Sequence, residues 1–415
     1  MPKIAIVGAG VAGAILAHLL QDRPGLEIVT YERVGPDDHS EAGTGLNVGP
    51  NALKALALAS PSLERAVRAA SFAWRRWTVA LTDGSPLMDL DLADVADNTG
   101  IRIRWSDLYR VLRAAAKDSI RYGEIVAHAE VGPSKVALTI AKTADPHTQT
   151  YDTADLLVVA EGRYSALRDA LFGAAKQRFV GAALFRTLCA APEDLPCPID
   201  DYGQWFSGPN RLLAFRVPGG AVYCAGSCPL PPGAPLHDEM KTAAYLRKLY
   251  APREGALSSA AAFLVDNMAR NVERLHWARL QEGPMVFEHP SGRVLALGDA
   301  AHPMVPTLGQ GATQAVEDAC VTGLAILQAL EAGQPLASVP AEVGRLRRDR
   351  VRFCMNLSRQ ASDTMLAGGE PIAGARWKTE PDFRAKLAQL YRDVRLPGIA
   401  APAKGARPRD VNALR

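Results

Sequence analysis

The residues best suited to chemistry lie far apart in the chain. Near the start, Gly8, Gly10 and Gly13 stand in G-x-G-x-x-G spacing, and Glu32 follows nineteen positions after the last of them. Far downstream, the stretch GDAAHPMVPTLGQGA holds Asp299, His302, Pro303, Pro306, Gly309, Gln310, Gly311 and Ala312. The first set suits a dinucleotide. Gly8 allows a tight turn, Gly10 lets a diphosphate approach the backbone, and Gly13 lets a helix pack close to a strand. The N–H groups of Val11, Ala12 and Gly13 at the start of that helix favour an anion. Glu32, with Arg33 beside it, stands where a ribose-binding carboxylate is expected. The glycine spacing alone does not separate one dinucleotide from another.

These residues need elements to position them. Lys3 to Val7 is short, apolar and β-branched and reads as a buried parallel strand, followed by a helix from Val11 to Gln21. A second strand, Glu27 to Tyr31, runs into Glu32. Arg293 to Leu297 reads as a strand that delivers Asp299 at its C-terminal edge. Pro303, Pro306 and Gly309 keep the next stretch irregular, and a helix follows from about Ala312 to Leu330. Its free N–H groups point at whatever precedes it and stabilise negative charge there. Histidine is the residue type suited to proton transfer at ordinary pH, so for His302 a general base and a structural residue are both open readings. Between the two ends, Asp155 to Ala160 reads as a strand, followed by a Glu161-Gly162 turn, Ser165 and Arg168. In EAGTGLNVGPNALKAL, Gly43, Gly45, Gly49 and Pro50 predict a loop, and Asn51 caps a helix beginning near Ala52. Asn47 either faces a pocket or satisfies loop backbone.

From Gln177 to Phe287 the pattern changes to strands and turns. Gln204–Phe206, Arg211–Val217 and Ala221–Ser227 read as an antiparallel meander. Alternation puts Arg211, Leu213, Phe215 and Val217 on one face, with Tyr223 on the next strand. Such a face suits an aromatic ring bearing an anionic group, with Arg186 as a second cation. It equally describes a plain core face with Arg211 at its solvent rim.

In this order the motifs resemble those of the FAD-dependent aromatic hydroxylases, the single-component flavoprotein monooxygenases of the para-hydroxybenzoate hydroxylase type. The resemblance runs from Met1 to about Arg359. It implies an α/β chain: a Rossmann-like FAD-binding domain with an inserted antiparallel-sheet substrate domain and C-terminal helices. The expected division is 1–176 for the first part of the FAD domain, with one sheet excursion near 72–104. Residues 177–287 form the substrate domain, 288–396 the second part of the FAD domain and the C-terminal helices, and 397–415 a flexible basic tail. The implied cofactor is FAD, with NADH or NADPH as a transient co-substrate. The implied reaction is hydroxylation of an aromatic or heteroaromatic small molecule by O2 through a flavin C4a-hydroperoxide. By the same resemblance Asp299 holds ribityl hydroxyls, and the Glu41–Leu56 segment, with Gly45 in it, passes beside the flavin ring and ribityl chain, with Asn47 toward the substrate. Pro306, Gly309, Gly311 and Ala312 lie at the ring, near His302 and Pro303. Two positions depart from the family. Glu161 replaces an Asp, and Trp105 stands where an Arg is usual, so that Arg104 is expected to take that role. Another FAD-dependent oxidoreductase on the same scaffold (a dehydrogenase, reductase or halogenase) and a non-catalytic flavin-binding regulator are the alternatives.

Composition bounds the rest. The 415 residues are 48% hydrophobic and 22% charged, which suits an ordinary globular chain with a real core. The tail from Pro397 carries four cations against one acid and accounts for the whole formal net charge of +3, so no nucleic-acid partner is implied. No apolar run reaches the length of a membrane span, and Met1 leads straight into the first strand, so a cytoplasmic protein without a signal peptide is expected. The six cysteines show no zinc spacing and read as reduced thiols, with no metal site. A monomer or homodimer fits. The arginine-rich segment from Val339 to Arg359 reads as a solvated helix paired through Glu342 and Asp349.

Overall fold

The Lys3–Val7 strand is central to a five-stranded parallel sheet. The order runs Val294–Ala296, Leu156–Val159, Lys3–Val7, Glu27–Glu32, Ile120–Tyr122. Leu156–Val159 is fully buried, which explains its unbroken apolar run. Against this sheet pack the Val11–Leu20 helix and a long, mostly buried helix, Gln310–Glu331. The computed structural model describes residues 1–38, 44–174, 176–191 and 197–399. The expected flexible tail therefore lies almost wholly outside the described residues, as do Glu41 and Gly43.

A second, seven-stranded sheet is ordered His276–Glu282, Arg178–Ala190, Ala221–Pro229, Asn210–Val217, Tyr202–Ser207, Arg76–Leu81, Pro86–Asp91. Two of its strands thus come from the first quarter of the chain. All its pairings are antiparallel except that of Tyr202–Ser207 with Arg76–Leu81, which is parallel. The expected meander is present as the antiparallel trio from Tyr202 to Pro229. One face of this sheet packs on helices Ala243–Tyr250 and Ser259–Arg270. The other faces the parallel-sheet body and the C-terminal helices Pro371–Thr379 and Pro381–Arg392.

Local readings are corrected at two points. Gly45–Val48 is a strand, not a loop, because it pairs antiparallel with Gly100–Arg104. Its helix starts at Pro50 with Gly49 as N-cap; Asn51 lies inside the first turn and turns its amide into the core. The helix that follows Gly100–Arg104 runs Trp105–Ala115 with Arg104 as its N-cap. No described helix is long and apolar enough to cross a membrane. All six cysteines are free.

Candidate active site

The glycine turn is closed by backbone. Gly8 has φ +96°, and a Cβ there would lie 2.6 Å from the Ala160 carbonyl oxygen. A Cβ on Gly13 would overlap the Gly8 carbonyl oxygen itself. At Gly10 the nearest atom to such a Cβ is 4.0 Å away, which leaves the approach clear. The helix that follows has no side-chain cap and no acid in its first turn. Its first N–H groups therefore remain available to an external anion. Val11 and Ala12 are buried, so only their backbone can serve a ligand. Glu32 is also buried; it accepts the Ala9 N–H at 2.7 Å and the Val34 N–H at 3.2 Å. Arg33 follows on the exposed side. Arg113, which the motif reading missed, lies 3.5 Å from Glu32 and donates to the Ala9 carbonyl at 3.1 Å. Its signal is a cation next to Leu112 on the buried side of the Trp105–Ala115 helix.

The downstream motif meets this turn. A Cβ on Gly298 would lie 3.7 Å from the Ala12 Cβ, and one on Gly311 would lie 3.4 Å from Asp299 Oδ1. The Asp299 carboxylate thus sits beside the start of the Gln310–Glu331 helix, and its turn packs on the start of the Val11–Leu20 helix. The later helix also lacks a side-chain cap and a first-turn acid, and its N-cap Gly309 is left-handed at φ +64°. Two donor-rich helix ends of this kind suit the diphosphate and the ring of FAD. Arg163, a cation in the tight turn after Glu161-Gly162, was not anticipated. It donates to the Gln281 carbonyl at 3.1 Å and to that of Met304 at 2.7 Å, and its Nε lies 3.6 Å from Asp299. Glu161 is largely buried, which pushes its carboxyl up, and it accepts the Ser165 hydroxyl at 2.5 Å. Asp299→Ala is expected to weaken FAD binding by about 1–3 kcal/mol, the usual cost of buried donors left unpaired, with the fold intact. Fluorescence titration of FAD checks it, and an unchanged dissociation constant would remove Asp299 from the site.

Near the start of the Gln310–Glu331 helix several of the expected residues meet other elements. Asn47 lies against Gly309, where a Cβ would come 2.5 Å from its Nδ2. Gly45 lies against Tyr223, where a Cβ would come 2.8 Å from the Tyr223 Cβ. Pro303 packs on Gly283, whereas Pro306 is exposed. Arg104 donates to the Gly219 carbonyl at 2.5 Å, tying the turn between two substrate-sheet strands to the Gly100–Arg104 strand.

His302 is enclosed. It is fully buried and its Nε2 lies 2.6 Å from Asp318 Oδ2, which also accepts the Gly298 N–H at 2.9 Å. The structure therefore favours the structural reading over the general base. The basic helix, Val339–Ala361, is only partly solvated. Arg345 and Arg352 pair outward with Glu342 and Asp349, as expected. Arg347 and Arg350 instead turn inward onto Glu317 and, for Arg347, Asp318.

The substrate-sheet face is an aromatic row beside a polar one. Trp77 pairs across strands with Tyr202 and Phe215 with Tyr223, and the rings of Tyr202 and Phe215 join the two pairs into one row. Tyr202 stacks on Phe215 at 5.7 Å between centroids, and Phe215 meets Tyr223 at 4.8 Å. Leu213 and Gln204 form the next row, with Arg211 and Phe206 beyond. Arg211 is only 5% exposed, so the solvent-rim reading is wrong. Arg186 shares the face through its pairing with Ala225 but is exposed.

A family profile described as an FAD binding domain matches residues 273–338. Among curated proteins, a 3-amino-4-hydroxybenzoate 2-monooxygenase of Streptomyces platensis is 32% identical over 335 residues, 77% of this chain and 78% of that one. A 6-hydroxynicotinate 3-monooxygenase of Pseudomonas fluorescens is 26% identical over 84% of this chain and 88% of that one. Among solved structures, Klebsiella pneumoniae HpxO complexed with FAD and uric acid superposes with TM-score 0.78 at 22% identity, covering 94% of this chain and 96% of that one. Shared sequence at this level over most of both chains places the protein in the family of FAD-dependent aromatic monooxygenases.

Proposed function

We propose that this monooxygenase hydroxylates a planar aromatic or heteroaromatic small molecule held between the Tyr223–Phe215 row and the start of the Gln310–Glu331 helix. The observation that carries this reading is that the Gly45–Val48 strand meets Tyr223 at Gly45 and Gly309 at Asn47, two residues further on. This one strand thus links the aromatic face to the start of the Gln310–Glu331 helix. Bound FAD supplies the redox chemistry, with NADH or NADPH as reductant and O2 as oxidant. The chain's own residues position and exclude. Backbone N–H groups from Gly311 and Ala312 favour negative charge on a reduced ring. The packed rings of Tyr202, Phe215 and Tyr223 keep water from the reacting face. The Tyr223 hydroxyl and the Asn47 amide are the polar groups placed to orient a ring substituent. The related proteins act on 3-amino-4-hydroxybenzoate, 6-hydroxynicotinate and urate, all planar oxygenated rings.

The test is NADH and NADPH oxidation by the yellow protein across aromatic acids, phenols, hydroxypyridines and purines. Stimulation by at least one, with a hydroxylated product, is expected; a flavin-loaded protein that no aromatic stimulates would point to the regulatory alternative. With a substrate in hand, Arg211→Met is expected to raise KM about tenfold or more, with kcat falling less than kcat/KM. Identical steady-state kinetics would take Arg211 out of the substrate site.

A further inference from the structure

Six cations of the described residues are buried: Arg102, Arg113, Arg168, Arg211, Arg347 and Lys378. Four have acids beside them. Arg102 meets Asp201, Arg113 meets Glu32, Arg168 meets Asp169, and Arg347 meets Glu317 and Asp318. The other two have none, and they lie together. Lys378, on the Pro371–Thr379 helix, is 3% exposed, and its ammonium lies over the Trp77 and Phe206 rings at 5.8 and 5.9 Å. Phe206 is the direct cross-strand neighbour of Arg211. Neither cation has a side-chain hydrogen bond or ion pair among the described residues, and the Arg211 Nε is buried without an acceptor.

The polar atoms around them are also unsatisfied. The Trp77 indole N–H and the Gln204 carbonyl oxygen are buried without partners, while the Gln204 amide donates to the Tyr202 hydroxyl at 3.1 Å. Acids on the surrounding elements are engaged elsewhere: Asp89 with Arg76, Asp201 with Arg102, Asp363 with Arg359. Isolated buried charge is strongly unfavourable, and two like charges side by side are worse. Cation–π contact with two rings offsets part of this for Lys378 and none of it for Arg211. Burial first, and Arg211 second, bring the Lys378 ammonium down to about 7. Burial likewise lowers the Arg211 guanidinium. A donor-rich, acid-free pair of this kind is complete only with an anion between its members.

We propose that Lys378 and Arg211 together form a buried dibasic site that takes the carboxylate of the substrate, which makes the substrates aromatic acids. This rests on the catalytic reading above and deepens it. Arg211 lies four residues along its strand from Phe215, the neighbour of Tyr223, which is about 13 Å at some 3.3 Å per residue. An arginine side chain reaches back over roughly half of that distance, and a ring with its carboxylate covers the rest. Lys378 thus makes the C-terminal helices part of substrate recognition. Two of the relatives named above act on acids, 3-amino-4-hydroxybenzoate and 6-hydroxynicotinate.

The experiment compares the FAD-loaded wild type with Lys378→Met and Lys378→Arg. Binding is read from the flavin absorbance change with matched acids and amides: benzoate and benzamide, 4-hydroxybenzoate and 4-hydroxybenzamide, 6-hydroxynicotinate and 6-hydroxynicotinamide. The wild type should bind at least one acid about tenfold or more tighter than its amide. Lys378→Met should lose most of that preference and Lys378→Arg should keep part of it. Without ligand, Lys378→Met should melt no lower than the wild type, because methionine fills similar space and removes an uncompensated charge. The proposal is overturned if no acid outbinds its amide in the wild type, or if Lys378→Met keeps the full preference. Acid selectivity without any stimulated NAD(P)H oxidation would sink the catalytic reading and leave the anion site standing. Oxidation driven equally by acids and amides would do the reverse.

Discussion

Arg347→Met should cost about 3–5 kcal/mol of folding stability, the usual penalty for removing one partner of a buried ion pair. Arg347 is 2% exposed and is held by three side chains of the Gln310–Glu331 helix. It donates to Asp318 at 2.8 Å, to Glu317 at 2.7 Å and to Gln314 at 2.6 Å. Without it, two enclosed carboxylates keep only His302, Arg350, Asn51 and Gln314 as side-chain partners. Methionine matches the stem but cannot meet either acid. The damage should also reach the cofactor, because Asp318 holds the Gly298 N–H next to Asp299. Urea unfolding of the FAD-loaded protein measures the first effect and FAD release the second. A variant as stable as the wild type would show that the network is not a keystone of the fold.

The same network sets an acid limit. Burial alone would raise both carboxyls, but Arg350 and Arg347 hold Glu317 at about 2, and His302 and Arg347 hold Asp318 at about 2. Their ordinary values are 4.5 and 3.8. Depressed carboxylates contribute stability that is fully present above those ordinary values and is lost as pH falls toward 2. In Arg347→Met the depression shrinks, so acid unfolding should begin at higher pH than in the wild type.

Much of the cofactor end was legible because its signals are local. A glycine whose Cβ would strike a carbonyl, or an uncapped helix start after a strand, is written in consecutive residues. Strand alternation likewise put Arg211, Leu213 and Phe215 on one face before any neighbour was known. The misreadings share a different cause. Glu342 and Asp349 lie within a turn or two of Arg347 on its own helix, and that local pattern implies a solvated side chain. The acids it meets, Glu317 and Asp318, belong to another helix. The glycines around Gly45–Val48 favour a loop, and pairing with Gly100–Arg104 overrides that preference. Asn51 looked like a cap but spends its amide on Glu317. Arg163 and Lys378 lie outside any motif, and only tertiary packing shows one beside Asp299 and the other beside the Arg211 strand.

Gly13→Ala should strip the protein of FAD. The added Cβ would collide with the Gly8 carbonyl oxygen, and the next nearest atom, the Gly8 carbonyl carbon, is also backbone. No side-chain rotamer can relieve such a clash, so the helix must move away from the strand turn. Overpacking of this kind costs about 1–3 kcal/mol or more, and the displaced helix no longer aims its N–H groups at the diphosphate. Affinity for FAD should fall by roughly tenfold to more than a hundredfold, with a lower melting temperature in the absence of FAD. Gly10→Ala is the informative contrast. Its Cβ would lie 4.0 Å from the Ala160 oxygen, ordinary contact, so the FAD-free fold should keep its melting temperature. It would still stand between the backbone and an incoming diphosphate, so binding alone should weaken. Isothermal titration of the stripped proteins with FAD, beside their thermal melts, separates the two. If Gly13→Ala retained wild-type affinity and stability, close helix–strand packing at this turn would not be what holds the cofactor. If Gly10→Ala did so, the diphosphate would not lie against Gly10.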